Sequence, residues 1–187
     1  MSKAIFWDLQ GTLGGDAVAS IELFEPYPFS KDALKLAREH GFLNIVITNQ
    51  SRIAKGTLSE QVYKQEEQRI KDYFNADGIL IEEFLCCPHQ SGDGCSCKKP
   101  KPGLIFQCAE KYRLDIQQCY AIGDMGKNEI ILAHNAGCKG ILVLTGGGKD
   151  SLGVFRDTWA GHEADFIADD AYAAVKYITD SLNSSCF

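Results

Sequence analysis

Phe6-Trp7-Asp8-Leu9-Gln10-Gly11-Thr12-Leu13 is the stretch from which the fold can be read. The apolar run from Ala4 to Trp7 predicts a buried strand, and Gly11-Thr12 predicts a turn directly after it. Asp8 lies between the two, at the carboxyl end of the strand, where open α/β sheets place their ligand sites. An isolated Asp at such a position often only ends a strand. Its interpretation therefore depends on residues 48–49, 99 and 123–124.

Size and composition place the chain among ordinary globular proteins. It has 187 residues, 45% hydrophobic and 24% charged, enough for one domain with its own core. The formal net charge of -6 argues against nucleic acid as a partner, because phosphate backbones need a basic face. No apolar run reaches the roughly 20 residues of a membrane span, and the N-terminus does not resemble a signal peptide. We therefore expect a cytoplasmic monomer or small homo-oligomer whose partner is a small molecule.

Strand-like and helix-like segments alternate along the chain, which is typical of a parallel sheet with helices on both faces. The expected strands cover residues 4–7, 43–47, 78–85, 119–122, 140–144 and 166–168, and the expected helices cover 30–40, 59–74, 102–112, 128–135 and 171–182. The predicted fold class is α/β, with one doubly wound, Rossmann-like parallel sheet in a single domain over residues 1–187. Little sequence separates the strands after Asp8 and after Asn49, so no separate cap domain is expected. Gly146-Gly147-Gly148 predicts a mobile loop.

Three strand ends carry polar side chains that suit one site. Asp8 offers a carboxylate, Thr48-Asn49 a hydroxyl and an amide, and Asp124 a second carboxylate, all at one edge of a parallel sheet. Two facing carboxylates repel unless one is protonated or a cation lies between them. Mg²⁺ is the natural cation because it takes carboxylate, water and phosphate oxygens. With Lys99 supplying positive charge for phosphate oxygens, the set indicates phosphoryl transfer to an aspartate.

Half of the eight cysteines lie in one short segment, residues 86–99. Cys87, His89, Cys95 and Cys97 form a Cys₃His set typical of a closed tetrahedral zinc site, and four protein ligands leave no position for a catalytic water. The predicted zinc is therefore structural and stiffens the loop that presents Lys98 and Lys99. The alternative is reduced cysteines beside a surface histidine. Cys86 is predicted to be a core residue at a strand end.

These motifs resemble those of the haloacid-dehalogenase (HAD) superfamily, in their usual order and across nearly the whole chain. The four motifs are Asp8-Leu9-Gln10-Gly11-Thr12, Thr48-Asn49-Gln50-Ser51, Lys99 and Gly123-Asp124. Residues 48–56, together with Cys87-Pro88-His89 and residues 95–103, are similar to subclass IIIA, the subgroup that holds D,D-heptose 1,7-bisphosphate phosphatase and histidinol phosphatase.

The resemblance implies a magnesium-dependent phosphatase acting on a small phosphorylated sugar or related metabolite. Asp8 would form an aspartyl-phosphate, and Mg²⁺ would be held by the side chains of Asp8 and Asp124 and the main-chain carbonyl of Gln10. The implied phosphate-binding residues are Thr48, Asn49 and Lys99, and the implied further substrate contacts are Arg52 and Lys98. The subgroup usually has Arg at position 98, and Lys keeps the charge without the bidentate fork. Asn128 stands where an acidic residue is common, and Glu129 beside it can compensate.

Position 10 departs from the family pattern. The resemblance implies an acid/base Asp there, which protonates the leaving group and is worth about 10² to 10⁴ in rate. Gln10 has no such proton, so we expect slow or unusual turnover. Either the substrate has a good leaving group, or Asp16, Glu22 or Glu25 supplies the acid, or the protein is a non-hydrolysing phosphometabolite-binding or regulatory protein. An engineered substitution that traps the substrate is a further alternative.

Overall fold

The computed structural model describes residues 1–184. Its centre is a six-stranded, entirely parallel sheet with the strand order β3-β2-β1-β4-β5-β6. The strands are β1 (Lys3–Trp7), β2 (Phe42–Asn49), β3 (Glu83–Cys87), β4 (Tyr120–Gly123), β5 (Lys139–Val143) and β6 (Phe166–Ala168). This order is doubly wound, and it confirms the predicted α/β class without a separate cap domain.

Helices cover both faces of the sheet. They are α1 (Ser30–Glu39), α2 (Glu60–Asn75), α3 (Gly103–Tyr112), α4 (Gly126–Ala136), α5 (Gly148–Leu152) and α6 (Ala171–Ser184). Short 3₁₀ turns occupy Ile21–Leu23, Ile116–Gln118 and Arg156–Trp159. Right-handed crossovers in parallel sheets put successive helices on opposite faces when the winding direction reverses.

Alternation along β1 divides the core into two layers. Ile5 and Trp7 pack with residues of α1, α2 and α6, whereas Ala4 and Phe6 pack with residues of α3 and α4. A strand buried on both faces reads as a continuous apolar run, which is why Ala4 to Trp7 identified the central strand. Trp7 donates its indole N–H to Asn44 Oδ1 over 3.0 Å, so the one polar group of this large buried side chain is paired.

Three elements differ from the sequence-based expectation. The third strand is Glu83–Cys87, further along than the expected 78–85, because Ile79 and Ile81 enter the core from a loop without pairing in the sheet. Helix α4 begins at Gly126, ahead of the expected start near 128. Gly148 begins the short helix α5, so the glycine triplet is partly helical. The interpretation of residues 1–187 as one domain stays a prediction, and residues 185–187 lie outside the described part.

Within the described residues, every helix is too short or too polar to cross a bilayer.

Candidate active site

The strand order brings the two predicted carboxylates to neighbouring strands. The chain leaves β1 toward β2 and β3 and later returns to the other side of β1 as β4, so the winding direction changes between β1 and β4. Trp7 pairs with Ile122, and the Asp8 N–H donates to the Ile122 carbonyl over 2.9 Å. Asp8 and Asp124 therefore follow adjacent strand ends at the topological switch point, which is where open α/β sheets bind ligands.

Lys99 reaches this point from the loop between β3 and α3. Its ammonium donates to Asp8 Oδ1, lies 2.9 Å from Glu129 Oε1 and donates to the Ile47 carbonyl over 2.9 Å. The Lys99 and Glu129 side chains are 2% and 3% exposed. Burial opposes the Lys99 charge, but Asp8 and Glu129 outweigh it and raise the pKa of Lys99. The ammonium is thus held charged between two carboxylates.

Negative charge is still in excess around Lys99. Burial first, then Asp8 and Glu129, raise the pKa of Asp124 to about 8. Burial also raises the pKa of Glu129 to about 7, although Lys99 opposes the shift. Asp8, Asp124 and Glu129 thus face a single ammonium. Their mutual repulsion is the electrostatic condition that a bound divalent cation relieves, and a donor set of carboxylate and carbonyl oxygens fits Mg²⁺.

Glycines allow the chain to close around Asp124. Gly147 N–H donates to Asp124 Oδ2 over 2.7 Å. A Cβ at Gly11 or at Gly146 would lie 2.2 Å or 2.4 Å from the same oxygen, and both residues have positive φ. Thr145 Oγ1 donates to the Gly11 carbonyl over 2.6 Å and joins the loop after β5 to the turn after β1. The loop predicted to be mobile is therefore packed against the carboxylate.

Thr48 and Asn49 end β2 beside Lys99. The Asn49 side-chain amide donates to the Lys99 carbonyl over 3.2 Å, and Asn49 Oδ1 accepts from the Lys99 N–H over 3.1 Å. This reciprocal pair fixes the main chain from which the Lys99 side chain enters the site. Thr48 Oγ1 accepts from Gln50 Nε2 over 3.1 Å, which places the hydroxyl of Thr48 beside the residue that also contacts Gln10.

Gln10 uses its whole side-chain amide to hold the following loop. Its Nε2 donates to the carbonyls of Asp16 and Ala19 over 3.1 Å and 2.9 Å. Its Oε1 accepts from Gln50 Nε2 over 2.9 Å. Two carbonyl acceptors at one side chain suit an amide and would repel a carboxylate. The hydrogen-bonding partners around position 10 therefore suit the amide of Gln10 and not a carboxylate.

Arg52 and Lys98 lie at the rim and contact main-chain carbonyls. Arg52 Nη2 donates to the Val18 carbonyl over 2.8 Å, so the loop held by Gln10 is held from a second side. The Lys98 ammonium donates to Ser51 Oγ and to the His89 carbonyl, the latter over 3.2 Å. Both cations are near the site, and both are already engaged with the protein.

The cleft at the centre has a volume of about 80 Å³. It is lined by Asp8, Gln10, Ala17, Thr48, Asn49, Lys99, Asp124, Met125 and Asn128. The structure thus brings together all the residues predicted for the phosphate and magnesium sites, with Arg52 and Lys98 outside this innermost space. Sequence reasoning missed the direct Glu129–Lys99 pair. The only sequence signal was an acidic residue in the first turn of a helix that follows Asp124.

The cysteine-rich loop forms a separate cluster. The ligand atoms of Cys87, His89, Cys95 and Cys97 all lie within 4.8 Å of one another. Cys97 Sγ is 3.2 Å from Cys87 Sγ and 3.2 Å from His89 Nδ1, and Cys87 Sγ is 3.8 Å from Cys95 Sγ. Tetrahedral Zn–S and Zn–N bonds imply ligand separations of about 3.5 to 3.8 Å. Burial, followed by Cys97, raises the pKa of Cys87 to about 12.

Comparisons with known proteins agree with this architecture. Residues 96–174 match the family model described as HAD-hydrolase-like. A D-glycero-beta-D-manno-heptose-1,7-bisphosphate 7-phosphatase of Haemophilus ducreyi is 35% identical over 154 residues, covering 77% of this chain and 84% of the relative. The enzyme of the same name from Pseudomonas putida is 31% identical over 153 residues, covering 80% and 87%.

A solved structure is similar over nearly the full length. It is D,D-heptose 1,7-bisphosphate phosphatase from B. bronchiseptica complexed with magnesium and phosphate, with a TM-score of 0.85, 26% identity, and coverage of 97% of this chain and 99% of that one.

The sheet order, the paired strand-end carboxylates and the buried lysine are those of a hydrolase of the HAD type. The chain belongs to the HAD-like hydrolase family. Within that family, the similar proteins described above are named as heptose bisphosphate phosphatases.

Proposed function

We propose that the protein is a magnesium-dependent phosphatase that acts on a small phosphorylated sugar or related metabolite through an aspartyl-phosphate intermediate. Asp8 is the proposed nucleophile, because its carboxylate lies at the switch point of the sheet and is oriented by Lys99 and by Thr12 Oγ1 at 3.4 Å. The names of its relatives support a phosphorylated sugar as substrate.

One observation carries this proposal: the buried ammonium of Lys99 lies between the carboxylates of Asp8 and Glu129. Asp124 lies close to this group, and the carboxylates of Asp8 and Glu129 both raise the pKa of Asp124. A buried group of like charges is costly and is concentrated at functional sites. Thr48, Asn49 and Lys99 are the proposed phosphate-binding residues, and Arg52 and Lys98 the proposed rim contacts.

The residues present fit Mg²⁺ at this place. Asp8, Asp124 and the carbonyl of Gln10 would hold it, and when bound it would neutralise charge on the phosphate. The magnesium in the similar B. bronchiseptica structure supports this choice. In the cysteine-rich loop, Cys87, His89, Cys95 and Cys97 fit a structural Zn²⁺, which would fix the chain just before Lys98 and Lys99.

Gln10 favours a second candidate function. Its amide is fully used by Asp16, Ala19 and Gln50, so no proton passes through it to a leaving group. A non-hydrolysing phosphometabolite-binding or regulatory protein would keep the rest of the site and dispense with this step.

Phosphate release separates the two candidates. Purified protein with Mg²⁺ is assayed against a panel of phosphorylated sugars and other metabolites, and thermal shift is recorded with the same compounds. Release that is abolished in Asp8→Asn supports the phosphatase. Compound-dependent stabilisation with no release, even after long incubation, supports the binding protein and contradicts the phosphatase.

A further inference from the structure

A groove opens beside the central cleft. Its volume is about 660 Å³, within the range of small-ligand sites. Ala17 and Met125 line both the cleft and the groove, so the two spaces adjoin each other. A phosphoryl group at Asp8 would therefore leave the remainder of its substrate at the mouth of this groove.

The side chains along the groove are mainly apolar or aromatic. Val18, Tyr27, Met125 and Phe155 line it. Val18 and Phe155 are 78% and 41% exposed, so both side chains are accessible to a ligand in the groove. The Tyr27 hydroxyl already donates to the Gly15 carbonyl over 2.7 Å, so it offers its ring to a ligand and keeps its hydrogen for the protein.

The charges at the rim disfavour a second phosphate in this groove. Asp16 and Asp150 line it together with one cation, Lys127. The Lys127 ammonium lies over the Phe155 ring, 5.8 Å from its centroid. Arg52 and Lys98 are engaged with the main-chain carbonyls of Val18 and His89. The groove therefore suits an uncharged aromatic group better than an anionic sugar.

The cleft also lacks a proton donor for a poor leaving group. Gln10 does not ionise, and the ionisable residues that line the cleft are Asp8, Lys99 and Asp124, all assigned to the nucleophile, phosphate and metal positions. Asp16 lines the adjoining groove, and its Oδ1 accepts from the Val18 N–H over 2.9 Å. A sugar hydroxyl leaves as a strongly basic alkoxide, and its departure is slow unless an acid protonates it. A phenol has a pKa of about 10 and leaves far more easily without protonation.

We propose that the groove binds the leaving group of the substrate and that this group is an aromatic alcohol, so that the substrate is a small aryl phosphate monoester. This inference rests on the proposed phosphatase function and replaces the phosphorylated sugar with an aryl ester as the substrate class. Two independent features agree on it: the aromatic groove favours a flat apolar leaving group, and Gln10 requires a weakly basic one.

The reaction balances without an acid at position 10. An Asp8 oxygen forms a bond to phosphorus as the bond from phosphorus to the aryl oxygen breaks, and the electron pair leaves with the phenolate, which takes a proton from solvent. Water then attacks the same phosphorus, the bond to Asp8 breaks, and Asp8 is restored as a carboxylate. Both hydrogens of the water remain with the departing phosphate.

Three probes test the inference in the presence of Mg²⁺. 2-Naphthyl phosphate has an aromatic, weakly basic leaving group, acetyl phosphate has a good leaving group without a ring, and glucose 6-phosphate has a poor polar one. We expect kcat/KM for 2-naphthyl phosphate to exceed that for glucose 6-phosphate by at least about 100-fold, the lower bound for one lost acid. Across substituted phenyl phosphates, kcat should fall steeply as the pKa of the phenol rises.

One substitution tests the contribution of the groove to substrate binding. Phe155→Ala should raise KM for 2-naphthyl phosphate about threefold to tenfold, the worth of one aromatic contact, and leave acetyl phosphate unchanged. Phe106→Ala is the matched control, because Phe106 is 49% exposed on α3 and is not part of the groove.

The outcomes distinguish the aryl phosphate inference from the phosphatase proposal on which it rests. Equal rates for glucose 6-phosphate and 2-naphthyl phosphate, or a shallow dependence on phenol pKa, would overturn the aryl inference while phosphatase activity stands. An unchanged KM in Phe155→Ala would also overturn it. No turnover of any probe, acetyl phosphate included, would remove the phosphatase proposal itself.

Discussion

The side-chain amides of Gln10 and Gln50 form a direct pair, with Gln50 Nε2 donating to Gln10 Oε1 over 2.9 Å. Through this pair the turn after β1 is joined to the end of β2, while Gln10 Nε2 holds the carbonyls of Asp16 and Ala19. Gln10 therefore has a positioning role that an acid at this place could not reproduce, because a carboxylate accepts and does not donate.

Replacing Gln10 with Asp should have two opposite effects. The variant loses the hydrogen bonds to residues 16 and 19, so its melting temperature should fall. It gains a proton donor beside the cleft, so turnover of alkyl phosphates should rise about tenfold or more. Phosphate release and thermal unfolding measure the two effects.

Gln10→Ala is the control for this prediction, since it removes the same hydrogen bonds and adds no acid. Its melting temperature should fall similarly, with no gain in alkyl phosphate turnover. Equal activity in the two variants would mean that the missing acid does not limit the reaction.

Lys99→Met should abolish activity and weaken the fold. The ammonium is buried between Asp8 and Glu129, and its removal leaves two carboxylates close together without their partner. Breaking a buried ion pair in this way costs about 3 kcal/mol or more, and we expect phosphate release to drop at least about 100-fold. Urea unfolding and phosphate release are the measurements. Lys35→Met, at an exposed position on α1, is the control and should change neither the stability nor the phosphate release. Retained activity in Lys99→Met would remove Lys99 from the proposed site.

Metal removal should loosen the loop that leads to Lys99. The purified protein should contain about one Zn²⁺ per chain, as for a closed Cys₃His site. A strong chelator should lower the melting temperature by several degrees and raise KM, because Lys98 and Lys99 directly follow the ligand Cys97. Cys97→Ser should lose the zinc, and Cys138→Ala, which changes a buried thiol outside this cluster, should retain it. Zinc loss with stability and kinetics unaltered would contradict the stiffening role.

The part of the site that lies at strand ends could be predicted from the sequence. Asp8, Thr48 and Asp124 each follow an apolar run, and parallel strands bring their carboxyl ends to one edge. The contact between Lys99 and Glu129 joins the loop before α3 to the first turn of α4, and no local pattern encodes such a contact. The same holds for the groove, because Tyr27, Met125 and Phe155 are brought together only by the turns after β1, β4 and β5. The sequence at position 10 indicated that the acid is missing. The hydrogen bonds of Gln10 to Asp16, Ala19 and Gln50 could not be predicted, because they depend on the conformation of the loop after β1.

Glu67 should make stability depend on acid pH. Burial alone would raise its pKa, but Lys64 and Lys71 outweigh burial and lower it. A carboxyl whose pKa is lowered by folding stabilises the protein above its unfolded value of about 4.3, and this stability is lost as the pH falls through the folded value. Glu67→Gln should cost about 1 kcal/mol at pH 7 and show a smaller further loss below pH 4 than the parent. Urea titrations at pH 7 and pH 3 measure the free energy of unfolding of the variant and the parent.

Glu110→Gln, exposed on α3, is the control for Glu67→Gln. Parallel curves of stability against pH for Glu67→Gln and the parent would contradict the prediction.

Gly146 should be essential for the geometry of Asp124. Its φ is +53°, and a Cβ there would lie 2.4 Å from Asp124 Oδ2 and 2.4 Å from Gly11 Cα, so Ala cannot enter without moving the carboxylate or the turn after β1. We expect Gly146→Ala to reduce magnesium-dependent activity at least tenfold and to raise the magnesium concentration that activity requires, since a small displacement at a reacting centre lowers the rate about 100-fold.

Gly161→Ala is the matched control for Gly146→Ala, because Gly161 also has a positive φ, +82°, and has nothing within 4 Å of its added Cβ. Both variants carry the backbone strain of about 1 to 2 kcal/mol, so stability should fall in both and activity only in Gly146→Ala. If the two variants lost activity equally, strain alone would explain the effect and the enclosure of Asp124 by the glycine loop would have no part in catalysis.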